Sequence, residues 1–112
     1  MNSEISFEDF LKVSIHTGTV TSASENAKAR NPAYVMEIDF GGELGMKTTS
    51  AQLTQIYDVD SLLGKQVVAV TNFPPLRVAG VKSEVLVLGV ETPDGVVLLS
   101  PDRPVDNGKR IS

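Results

Sequence analysis

Tyr34-Val35-Met36-Glu37-Ile38-Asp39-Phe40 is the stretch that most narrows the choice of fold. Large apolar residues fall at every second position with acids between them, which spells a β-strand burying Tyr34, Met36, Ile38 and Phe40 on one face. Asn31-Pro32 breaks the chain before this strand, and Gly41-Gly42, with Gly45, turns it afterwards. A strand that is dry on one side needs a sheet folded over a core, and the rest of the chain supplies similar short pieces. Val13 and Ile15 alternate with Ser14 and His16, and Gly18 interrupts before Val20, which predicts a bulge or bend there. Residues 46–50 form a short strand. Residues 65–72 form another, ended by Phe73-Pro74-Pro75. Glu84 to Val90 and Val96 to Leu99 make two more, joined by a tight turn at Pro93-Asp94-Gly95.

Two helices complete the pattern. Ser6 followed by Asp9 resembles a capping box, and Phe7, Phe10 and Leu11 recur at helical spacing, predicting a short helix over 6–11. Leu53, Ile56 and Tyr57 stripe one side of residues 50–57, with Ser50 as the N-cap of a second helix. Six short strands with one helix between the third and fourth predict an all-β chain, an OB-fold closed barrel preceded by a short N-terminal helix. Periodicity alone leaves a β-sandwich open. At 112 residues the expectation is a single domain, residues 1–112.

Composition removes several function classes. With no cysteine there is no disulfide, no thiolate nucleophile and no Cys-based zinc site. The acidic N-terminus carries no apolar run of the signal-peptide kind, and no stretch approaches the roughly 18 apolar residues of a membrane span. The expected setting is the cytoplasm, without membrane insertion. His16 is the single histidine and has no neighbouring acid in the sequence to orient it. Glu37 and Asp39 read as solvent-facing acids, and Asp58 with Asp60 falls short of a calcium loop. No hydrolase, zinc or nucleotide-binding motif occurs. A chain like this is expected to bind rather than catalyse, with no cofactor and no metal.

Net charge is −4, which argues against indiscriminate binding to nucleic acid. The acids are unevenly spread, however. The three longest acid-free windows, 10–24, 44–57 and 61–83, hold Lys12, His16, Lys47, Lys65, Arg77 and Lys82, which could form a locally positive face if the fold gathers them. Polar clusters stand at strand ends in the same windows: Thr48-Thr49-Ser50-Ala51-Gln52, Asn72 before Phe73-Pro74-Pro75, and Lys82-Ser83. Donors and acceptors of this kind read RNA backbones and splayed bases.

With these residues in view the chain resembles the tRNA-binding domain family, most closely its free-standing bacterial members known as export-related chaperones. The resemblance rests on Phe10-Leu11-Lys12-Val13 with Ile15 and Gly18, Asn31-Pro32-Ala33-Tyr34, Ile38-Asp39-Phe40-Gly41 and Thr49-Ser50-Ala51-Gln52-Leu53-Thr54. It continues through Leu63-Gly64-Lys65-Gln66-Val67-Val68-Ala69-Val70, Asn72-Phe73-Pro74-Pro75, Ser83 to Gly89 and Asn107-Gly108-Lys109-Arg110-Ile111. It implies an OB-fold barrel that acts as a homodimer, recognises tRNA by shape and backbone contacts, and has no catalytic activity. It also implies a second proposed activity, binding of unfolded precursor proteins for secretion. The family's RNA-facing positions fall at Ser50, Gln52, Asn72, Lys82 and Ser83. Lys12, Lys47 and Arg77 join them on the charge argument. His16 stands where relatives usually carry arginine, and a histidine there predicts weaker or more pH-dependent RNA binding if it faces the ligand. For a bound polypeptide the candidate apolar groove is Phe73, Pro74, Pro75, Leu76 and Val78. Residues 1–12 and 100–112 exceed what a minimal barrel requires and are expected to build the dimer interface.

Overall fold

The computed structural model describes residues 3–112. In chain order it consists of α1 (Phe7–Leu11), β1 (Ile15–Glu25), β2 (Tyr34–Asp39), β3 (Met46–Ala51), α2 (Val59–Leu62) and β4 (Gln66–Val70). Then come β5 (Leu76–Val78), β6 (Val81–Ser83), β7 (Leu86–Val87), β8 (Gly89–Thr92) and β9 (Gly95–Leu98). The main sheet runs β3-β2-β1-β4-β7 and is antiparallel throughout.

Its two edges meet. The Glu84 amide donates to the Thr48 carbonyl (2.8 Å), the Thr48 amide donates to Glu84 Oε1 (3.1 Å), and the Thr49 hydroxyl donates to the Val85 carbonyl (2.9 Å). These bonds bring the sheet almost to closure, which satisfies the exposed edges an open sheet would leave. The result is the OB-like barrel that the strand pattern predicts. Met36, Ile38 and Phe40 are wholly buried inside it with Val67, Ala69 and Leu62, so the alternation in β2 is the core face it looked like.

The structure departs from the sequence reading in four places. First, no helix covers 50–57, and Ser50 is not a cap. β3 runs on to Ala51 because Tyr34 pairs with it across the sheet, and α2 begins later, where Asp58 and Ser61 form a reciprocal capping box. Second, the predicted terminator after β4 is followed by an extra hairpin, β5–β6, turning on Ala79 and Gly80, both with positive φ. Third, the single strand expected over Glu84–Val90 is split into β7 and β8, the latter paired with β9 as a separate hairpin. Fourth, the irregularity in β1 lies between Val20 and Ser22, not at Gly18. Gly18 pairs regularly with Val67, and its missing side chain makes room: a Cβ there would sit 2.7 Å from Ile38 Cγ2 and 2.8 Å from the Phe40 ring.

The polar tail is stitched to the barrel rather than trailing from it. β2 pairs with β1 only from Thr19 onward, so the earlier residues of β1 keep a free edge on that side. The tail fills it. The Thr17 amide donates to Lys109 O (3.0 Å), and Gly108 and Ile111 donate back to Thr17 and Ile15. The buried Thr17 hydroxyl donates to Asp106 O (2.9 Å) and accepts from the Lys109 amide (3.1 Å). Gln66 clasps Val105 through both ends of its side-chain amide.

Candidate nucleic-acid interface

An open groove of about 790 Å³ lies over the barrel seam, floored by β3 and β7 and walled by the β4-to-β6 connection. Ser50, Gln52 and Ser83 line it, and so do Phe73, Pro74, Pro75, Leu76 and Val78. Three of the polar positions expected to read RNA therefore share one groove with the apolar run expected to hold a polypeptide. Its place matches where OB folds take their ligands, on the third-strand face and beside the loops after the first and fourth barrel strands.

A short relay of hydrogen bonds sets the floor. Thr49 spends its only hydroxyl proton on Val85 O, so the Ser83 hydroxyl, 3.0 Å away, donates to Thr49. Ser83 in turn accepts from the Ser50 amide at 3.3 Å. Ser83 is thus first a strut between β6 and β3, and it keeps only part of its capacity for a ligand. The side chains of Ser50 and Gln52 make no hydrogen bond among the described residues and stand open to the groove. Residues before proline are held extended, so the Phe73-Pro74-Pro75 run presents Phe73 on a stiff backbone. Phe73 is 53% exposed.

The expected cations do not converge on this floor. Lys47 is half-buried and leans on Glu84 (3.9 Å). Arg77 and Lys82 are cross-strand partners on β5–β6, on the face opposite Leu76, Val78 and Ser83, and Arg77 also donates to Gly80 O (3.1 Å). They flank the groove without lining it.

Lys12, His16 and Asn72 gather where β1 begins and β4 ends, and none of them lines the groove although Asn72 directly precedes Phe73. Lys12 pairs with Asp9 (3.2 Å) on the exposed α1. Asn72 is a clamp: its Oδ1 accepts from the Ser14 amide (2.9 Å) and its Nδ2 donates to Lys12 O (2.7 Å). That leaves little of the amide for RNA. His16 Nδ1 lies 2.9 Å from Thr71 Oγ1, whose proton goes to Ser14 O, so Nδ1 carries the ring proton and Nε2 is bare. Burial, and then the charge of Arg110, lower the His16 pKa. The imidazole is therefore neutral at pH 7 and is no substitute for an arginine charge.

Two groups at the groove escaped the sequence reading. Arg30 and Asn31, on the β1–β2 loop, line a second cavity of about 370 Å³ that shares Ser50, Ala51, Gln52 and Val78 with the first. Arg30 is the one cation lining either cavity among the described residues. Its signal was available: residues 26–36 are also free of acids and hold Lys28 and Arg30. The described residues contain no cluster of three or more His, Cys, Asp or Glu suited to a metal, and no helix long and apolar enough to cross a membrane.

Comparison with known proteins agrees with this geometry. Residues 15–110 match the family described as "Putative tRNA binding domain". The chaperone CsaA of Bacillus anthracis strain Ames is 56% identical, with a TM-score of 0.90 over 98% of this chain and 100% of that one. CsaA of Picrophilus torridus is 44% identical, with a TM-score of 0.92 over 97% and 100%. The methionine–tRNA ligase of Pyrococcus furiosus is 33% identical over 107 residues, which is 96% of this chain but only 14% of the ligase. This chain belongs to the tRNA-binding domain family and is similar along its whole length to the CsaA chaperones.

Proposed function

We propose that this protein is a non-catalytic, homodimeric binder of tRNA that grips its ligand through shape and backbone contacts around the groove. The observation that carries the reading is the coincidence of three things at one place. These are the OB-fold ligand face, the free Ser50 and Gln52 side chains, and exposed cations beside it: Arg30 in the adjoining cavity, and Arg77 and Lys82 on the β5–β6 hairpin. Phosphate contacts from these cations would fix register, and the floor would supply contacts to bases or sugars. A cytoplasmic setting, where tRNA is found, goes with this function.

Unpartnered apolar surface supports the dimer. α1 is a five-residue helix with no buried residue, and Phe7 is 70% exposed on it. So short a helix gains little by itself, and an exposed aromatic on it is accounted for when a second copy covers it. Residues 3–12 would supply that contact; residues 1 and 2 of the expected extension lie outside the described residues. In the second extension, residues 100–112, the backbone is bound to its own barrel and Val105 faces outward. Phe7→Ser should convert the dimer to a monomer in sedimentation analysis, and a monomeric wild-type protein would refute this part.

A second reading, binding of unfolded precursor proteins, draws on the apolar wall Phe73–Val78 and on the likeness to chaperones. Salt separates the two. RNA held through phosphates weakens steeply as salt rises, because counterions are released, whereas apolar polypeptide binding is indifferent or strengthens.

A further inference from the structure

We infer that the groove and the adjoining cavity together form a binding subsite for a single-stranded RNA segment, with a phosphate on Arg30 and a base stacked on Phe73. The inference rests on the tRNA-binding reading above and goes beyond recognition by shape.

Arg30 is well placed for this. The β1–β2 loop is tied down by bonds from Asn26 to Ala33 O (2.9 Å) and from Lys28 to Asn26 Oδ1 (3.1 Å), so its tip is not a free end. The Lys28 stem rests on the β5–β6 turn: a Cβ on Gly80 would come 3.1 Å from Lys28 Cδ. The loop is thereby braced on the hairpin, and Arg30 lines the cavity beside Asn31, Ser50 and Gln52. Among the described residues none of these four side chains has a hydrogen-bond partner, and Arg30 has no acid within salt-bridge distance. A planar guanidinium beside amides and a hydroxyl is matched to a phosphate, which accepts from all of them.

The larger groove beyond Gln52 is mainly apolar as far as Phe73, with Thr49, Ser83 and two acids among its lining: Glu84, which leans on Lys47, and Glu91, which has no partner among the described residues. With no cation in its own lining, this groove suits bases rather than phosphates. An unpaired strand fits the arrangement: a phosphate meets Arg30, a base further along lies on an exposed aromatic held by two prolines, and an exocyclic amine can donate to the Glu91 carboxylate.

The test uses the full-length protein and two probes, labelled unfractionated tRNA and a labelled single-stranded octamer of adenylate, read by fluorescence anisotropy. Variants are Arg30→Ala, Arg30→Lys, Phe73→Ala and, as an off-site control, Arg103→Ala, each first shown to unfold at the wild-type temperature. The octamer should compete with tRNA. Arg30→Ala should weaken it about tenfold and reduce the salt slope by about 0.7, the share of one single-strand phosphate. Arg30→Lys should recover part of the affinity, Phe73→Ala should weaken the octamer about tenfold, and Arg103→Ala should stay within about twofold. If tRNA binds but the octamer neither binds nor competes, or Arg30→Ala behaves like Arg103→Ala, the subsite is wrong and the tRNA reading survives. If neither RNA binds while a carboxymethylated, unfolded polypeptide does, and Arg30→Ala leaves that binding intact, both are overturned and the groove belongs to polypeptide.

Discussion

Replacing Thr49 with valine tests whether the barrel is held shut where the groove lies. Thr49 is 1% exposed, and its hydroxyl is the middle of the relay from Ser50 through Ser83 to Val85 O. Valine keeps the shape and leaves no cavity, so the cost is polar. Two hydrogen bonds are lost at about 1 kcal/mol each, and the carbonyl of the buried Val85 loses its side-chain donor, adding roughly 1–2 kcal/mol. The sum is about 3–4 kcal/mol. For a chain this size each kcal/mol moves the midpoint by about 4 °C, so Tm should fall by about 12–16 °C in a circular-dichroism melt. The same substitution at Thr21 is the control, because its exposed hydroxyl donates to Glu37 O at 3.2 Å at the irregularity of β1. Thr21→Val should stay within about 0.5 kcal/mol. Equal effects of the two substitutions would refute the idea that the Thr49 relay closes the barrel.

Three further outcomes follow from the same structure. Gly18→Ala drives a methyl into Ile38 and Phe40, both fully buried, and should lower stability by about 1–3 kcal/mol in urea titration. Asn72→Ala removes both bonds of the clamp on Lys12 and Ser14. Amide exchange over residues 7–14 should speed up while tRNA affinity changes little, whereas an RNA-facing Asn72 would show the reverse. His16 has a lowered folded-state pKa, so below about pH 6.5 the unfolded chain takes up its proton first, and stability falls with pH until the folded pKa is passed. His16→Asn should flatten that part of the stability–pH curve, and tRNA affinity should not vary between about pH 7 and 8 on account of His16.

How much of this was legible in the sequence differs from element to element. β2 was fully so, because period-2 burial is a local property of seven residues. Of the stripe Leu53, Ile56 and Tyr57, the first and last pack on the core, while Ile56 is exposed. Its reading as a helix fails, because pairing of Ala51 with Tyr34 is a non-local gain that outweighs the helical preference of a short segment. The α2 start was written in Asp58 and Ser61, a capping box with an acid in place of the usual hydroxyl. The β5–β6 hairpin hid behind its turn, where Ala79 takes a positive φ that Asn or Asp normally marks. At the site, Ser50, Gln52 and Ser83 were readable as a polar cluster and the structure joins them. Asn72 was read as a polar strand-end residue and His16 as a strand residue in place of an arginine, and only the fold shows that they hold the N-terminal segment and Thr71. Arg30 was passed over because its acid-free window is shorter than the others, although the barrel brings it beside Ser50.

The central claim is that a protein of net charge −4 binds tRNA through a local positive frame around the groove. It is tested most directly by titrating tRNA into wild type and into the Arg77→Ala, Lys82→Ala double variant between about 50 and 200 mM salt. The logarithm of the wild-type binding constant should fall linearly with the logarithm of salt concentration, and the double variant should lose about 2 from that slope without losing its fold. Affinity that ignores salt, or a double variant with the wild-type slope, would contradict it.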